Sequence, residues 1–98
     1  LMVMTMQSLI TELPKDINKM NDLLQVQDWE QIRAISHRCK PNFMLVTNPE
    51  IQYLVITIEK NCKENSNLDV VKKNIDQLFE LSPKLVDMIE SELHKINS

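Results

Sequence analysis

Asn48-Pro49-Glu50-Ile51-Gln52-Tyr53-Leu54-Val55-Ile56-Thr57-Ile58-Glu59-Lys60-Asn61-Cys62 decides the fold, because it admits two readings. Tyr53 to Ile58 is a β-branched and aromatic run of the kind strands favour. Yet Asn48-Pro49-Glu50 supplies an N-cap, a proline at the first helical position and an acid in the first turn. Ile51, Leu54, Val55, Ile58 and Cys62 then keep three- and four-residue spacing, which takes a helix of about 15 residues to present on one face. Cap and spacing together predict a helix.

The same rhythm runs outward in both directions. Upstream, Asp28 and Gln31 form a capping-box pair, followed by Trp29, Ile32, Ser36, Cys39, Phe43 and Val46 on one stripe. Before that, from about Met2 to Val26, Met6, Ile10, Leu13, Ile17, Met20 and Leu24 alternate three and four apart. Downstream of the Asn65-Ser66-Asn67 break, Val71, Ile75, Leu78, Ser82, Leu85, Ile89 and Ile96 make a fourth stripe. Pro14 predicts a kink or a division at Leu13, Pro41 lies inside the second helix, and Pro83 predicts a kink near Leu81 or Ser82. The expected architecture is all-α: an antiparallel up-down-up-down four-helix bundle with proline kinks, one domain over residues 1–98.

Composition removes whole classes of function. The 98 residues contain no glycine, so phosphate-cradling loops, dinucleotide fingerprints and nucleophile elbows are excluded. The net charge is -3 with no basic block, which argues against a nucleic-acid partner. No apolar run approaches the ~20 residues of a membrane span, so direct membrane contact is not expected. Cys39 and Cys62 lack metal-ligand spacing and fall on apolar stripes, as reduced core thiols of a cytoplasmic chain would. The six methionines read as core filling, and Glu90 with His94 as a solvated helix end, since no second Glu/His pair exists to complete a bundle metal site. The start at Leu1 suggests a piece of a longer protein.

His37 stands apart. With 100° per residue, it lies about 130° from the centre of the second helix's apolar stripe, facing water. Arg33 is one turn before it, Lys40 three residues after and Met44 two turns after, all on nearly one line. An exposed imidazole is mostly neutral at pH 7 and keeps a lone pair on one ring nitrogen. Two cations within a turn would stabilise a phosphoryl group placed there.

Ser36-His37-Arg38-Cys39-Lys40, eight residues after the Asp28-Trp29-Glu30 helix start, resembles the histidine phosphotransfer (HPt) domain of two-component relays. The wider stretch His37-Arg38-Cys39-Lys40-Pro41-Asn42-Phe43 resembles the Lys-Pro-Asn variety at the C-terminal ends of hybrid sensor kinases. Leu13-Pro14-Lys15-Asp16-Ile17 upstream, and a helix opening Pro49-Glu50-Ile51 and ending Ile58-Glu59-Lys60 downstream, are similar to the family's flanking helices. The resemblance implies a four-helix bundle whose His37 takes a phosphoryl group from an aspartate of one response-regulator receiver domain and passes it to another. It implies Lys40 as support for the phosphoryl oxygens, no cofactor in this chain, and Mg²⁺ only in the receiver partner. Arg33, Pro41 and Met44 are expected at the receiver contact by geometry, not by family membership. Pro41 and Thr47 stand where many members have glycine, and Cys39 where leucine is usual. Pro41 has no N–H to give the His37 carbonyl. The competing expectation is a non-catalytic helical adaptor or dimerisation bundle in which His37 is incidental.

Overall fold

Side-chain oxygens and left-handed residues, in place of glycine, set the helix ends. The structure, a computed structural model, describes residues 6–46 and 48–97. Helix α1 spans Met6–Gln25, α2 Trp29–Met44, α3 Pro49–Glu64 and α4 Leu68–Asn97. Asp28 accepts the Gln31 N–H at 3.2 Å to start α2, and Asn48 accepts the Ile51 N–H at 3.1 Å to start α3. Three turn residues take positive φ: Gln27 at 56°, Asn65 at 51° and Asn67 at 53°. Asparagine tolerates this region because its short amide can bond locally; glutamine has no such compensation. Asn65 closes α3, with the Ser66 N–H reaching back to the Asn61 carbonyl at 3.1 Å.

Each helix packs on two neighbours in a closed ring, α1 on α2, α2 on α3, α3 on α4 and α4 on α1, and among the described residues the backbones of diagonal helices do not approach as closely. The short connections make successive helices antiparallel. Tyr53 to Ile58 lies wholly within α3, and no strand occurs among the described residues. This is the expected all-α four-helix bundle.

The core follows the stripes closely. Leu13, Ile17, Met20, Ile32, Phe43, Ile51, Ile58, Ile75, Leu78, Leu85 and Ile89 are all buried. In α1, however, Leu9 is the fully buried residue and the expected Ile10 is only half-buried. Ser82 is likewise half-buried. Ser36 is buried among apolar neighbours and stays satisfied by donating to the Ile32 carbonyl at 2.7 Å. The expectations for Met2, Thr47 and the Ile96 side chain lie outside the described residues.

The prolines do not interrupt their helices. Helix α1 continues through Pro14 without dividing at Leu13, and α2 and α4 continue through Pro41 and Pro83. Pro41 and Pro83 are exposed and Pro14 is half-buried. Helix α3 runs one turn past Lys60, to Glu64.

Candidate functional site

Helix α2 turns Ile32, Ile35, Ser36, Cys39 and Phe43 into the core. That leaves His37 on the outer edge of the α2–α3 seam, its side chain 72% exposed. Lys40, half-buried, sits three residues on along the same seam. Both reach across to one residue of α3. Glu59 Oε1 lies 3.2 Å from His37 Nδ1 and 3.1 Å from Lys40 Nζ. The lysine is also 3.1 Å from Glu59 Oε2, an oxygen shut off from water and without a hydrogen bond of good geometry.

Glu59 is the site residue that a wheel drawn on α2 alone could not show. Its signal was the hairpin register. The Gln52 side chain donates to the Met44 carbonyl at 3.3 Å, which fixes the pairing of α2 with α3. Two turns back along α2 from Met44 is His37, and two turns forward along α3 from Gln52 is Glu59.

The electrostatics make Glu59 an anion. Burial alone would raise its pKa, but hydrogen bonds and charge from Lys40 and His37 outweigh that and hold it below the usual carboxylate value. An ionised carboxylate only accepts, so the His37 nitrogen facing it must carry a proton. Nδ1 is then the donor, and in the neutral ring Nε2 is the nitrogen with the lone pair. Among the described residues Nε2 has no partner.

The other expected residues are arranged less tightly. Arg33 is half-buried one turn before His37, has no ion pair among the described residues, and its charge acts on the Cys62 thiol across the seam. Pro41 is exposed, whereas Met44 is half-buried and packs against the core. Ile56, one turn before Glu59 on α3, adds an exposed apolar side chain to this face. Arg38 points the other way, to Asp16 of α1 at 3.5 Å. Burial is the main influence on Asp16 and raises its pKa despite that arginine.

Both cysteines are free and buried, and burial pushes Cys39 up to about 12 and Cys62 to about 11, which makes them poor nucleophiles at neutral pH. His94 and Glu90 are exposed on α4, as expected for a solvated helix end. Among the described residues no group of three or more His, Cys, Asp or Glu could hold a metal ion, and no helix is long and apolar enough to cross a membrane.

Comparison with known proteins adds one finding. The model of one protein family, described as the Hpt domain, matches residues 5–96. No curated protein and no solved structure matches the chain.

Proposed function

Because the chain belongs to the Hpt domain family, whose members serve in phosphorelays and interact with receiver domains, we propose that His37 is its phosphoacceptor. The observation that carries this is the pairing of His37 Nδ1 with the buried carboxylate of Glu59, which leaves Nε2 of an exposed ring as the nucleophile. On this reading Nε2 attacks the phosphorus of a receiver's aspartyl phosphate. The Nε2–P bond forms, the P–O bond of the acyl phosphate breaks, and the aspartate leaves as a carboxylate with the electron pair. Passing the group to a second receiver runs the same exchange in reverse. Lys40, one turn from His37, neutralises phosphoryl oxygens. Mg²⁺ belongs to the receiver.

Receiver docking centres on His37, with Pro41 and Met44 as apolar contacts, Ile56 joining them from α3, and Arg33 as a polar contact. Relay partners must separate after each transfer, so the contact is expected to bury less than about 1,200 Å² in total. The test is incubation with a phosphorylated receiver and Mg²⁺. Acid-labile, alkali-stable label should appear on this chain, persist in His94→Gln and vanish in His37→Gln. The His37 change should alter stability by no more than about 0.5 kcal/mol, since the ring is mostly exposed. Label that survives in His37→Gln would show that another residue is the acceptor.

A further inference from the structure

His37 stands between two flanks of different chemistry. On the α1 flank of α2, Glu12 and Asp16 lie among Lys15, Lys19 and Arg38 around one groove, and Asp16 already holds Arg38 at 3.5 Å. Those charges largely cancel. On the α3 flank, Tyr53, Ile56, Lys60 and Lys63 follow at three, four and three residues, one line along the outer side of the helix. Tyr53 is 67% exposed and Ile56 45%. Lys60 and Lys63 are exposed and make no ion pair among the described residues.

The register of the hairpin sorts these side chains by kind. Gln52 meets the Met44 carbonyl, which brings Met44 to the level of Tyr53, and the Arg33 charge reaches Cys62, which brings it to the level of Lys63. One half of the α2–α3 face, with Met44, Pro41, Ile56 and Tyr53, is therefore apolar. The other half, with Arg33, Lys60 and Lys63, is cationic, and Glu30 and Glu64 border it at the end of the bundle. Arg33 and Met44 bracket a length of about 16 Å, and His37 lies at the boundary between the halves.

We propose that this divided face orients the receiver. The partner leans toward α3 and not α1, with an apolar patch on Met44, Ile56 and Tyr53, an acidic patch on Arg33, Lys60 and Lys63, and its aspartate over His37. This rests on His37 being the phosphoacceptor. A face of one chemistry would accept a partner either way round. A divided one does not, because turning the partner end for end strands its carboxylates on the apolar half. The lysines speed encounter with an acidic surface, whereas Tyr53 and Ile56 slow separation once docked. The whole chain carries a net charge of -3, so the attraction is confined to this patch, and a long polyanion gains little from it.

The test compares two double variants that change the net charge equally: Lys60→Glu with Lys63→Glu on α3, and Lys15→Glu with Lys19→Glu on α1. Transfer from a phosphorylated receiver is followed over receiver concentrations that separate the second-order rate constant from the rate at saturation. At about 0.1 M salt, where charges beyond about 10 Å are screened, the α3 pair is expected to lower the second-order constant by about 10- to 100-fold. The α1 pair should lower it by less than about threefold. Added salt should shrink the α3 loss, and the saturated rate should change little. Tyr53→Ser with Ile56→Ser should weaken docking by about tenfold at every salt concentration. Every variant should keep its helical circular dichroism and still be labelled on His37 by potassium phosphoramidate, which needs no partner protein. Equal losses from the two charge pairs, a larger loss from α1, or an α3 loss that salt leaves untouched would overturn the proposed orientation with the relay reading intact. Retention of a DNA duplex by the unaltered chain, lost in the α3 pair, would overturn it by assigning the patch to a polyanion. If no phosphorylated receiver labels the unaltered chain, the relay reading fails and the orientation falls with it.

Discussion

Replacing Lys40 by methionine is expected to cost about 2 kcal/mol of stability, although its side chain is 35% exposed. The reason lies with its partner. Glu59 is only 15% exposed, and its Oε2 has no contact with water. At 3.1 Å the Lys40 ammonium is the charge that compensates this oxygen, since His37 faces Oε1. Exposed ion pairs contribute about 0–1 kcal/mol, whereas breaking a fully buried one costs about 3–5 kcal/mol. This pair lies between, with one partner largely buried and the other able to reach water, and about 2 kcal/mol follows. In a domain of this size that lowers the melting temperature by about 10 °C. The reverse change, Glu59→Gln, strands a lysine that can turn to solvent and should cost less than about 1 kcal/mol. Lys40→Met combined with Glu59→Gln removes the orphaned charge and should recover most of the loss. The penalty of Lys40→Met alone should also shrink in acid, as Glu59 takes up a proton. Thermal melts followed by helical circular dichroism measure all of this. A Lys40→Met melting temperature within about 2 °C of the unaltered chain, or a double variant no more stable than the single, would refute the account.

Four further outcomes are expected. Lys40→Ala should slow transfer from a phosphorylated receiver by about 10- to 100-fold at any ionic strength, while the smaller loss in Arg33→Ala should fade as salt rises, because encounter charges are screened; rate measurements at two salt concentrations check this. Glu59, with its folded-state pKa below the unfolded value of 4.5, contributes stability above that value and loses it as pH falls through the folded pKa, so denaturant titrations from pH 6 to about pH 3 should show a smaller acid loss in Glu59→Gln. Asp16 has the opposite sign: its raised pKa makes its charge a cost at neutral pH, and Asp16→Asn should stabilise the fold at pH 7 and not in acid. Gln27→Gly should raise stability by about 0.5–1 kcal/mol in thermal melts, because the side chain now sits at φ 56° without compensation.

The architecture was legible because each helix repeats its message. Caps, first-turn acids and three-four spacing agree at Asn48 to Cys62, and that agreement outweighed the strand propensity of Tyr53 to Ile58. Finer choices were not legible. Leu9 and Ile10 both fall near the α1 stripe, and only the fit against neighbouring helices buries the first fully and the second in part. Whether Pro14 would divide its helix at Leu13 was also not legible, because propensity knows the missing N–H but not what packs around the helix, and α1 continues through it. At the site, the α2 wheel correctly put His37 in water and Lys40 beside it. It could not supply Glu59, which enters from another helix through a register set by tertiary packing.

That register also bears on how the site comes into being. The contacts that join His37 and Lys40 to Glu59 bridge 22 and 19 residues, all within the single hairpin of α2 and α3. The loop to be closed is short, and its entropy cost grows only slowly with length. Local contacts of this kind form early in helical proteins, before distant segments meet. The charge triad can therefore assemble as the hairpin closes, whereas α1 meets α4 only when the two ends of the chain come together. Substitutions in α1 or α4 should accordingly change how long the bundle lives more than how its His37–Glu59 corner is built, and a chain cut down to α2–α3 is the natural place to look for residual His37–Glu59 pairing.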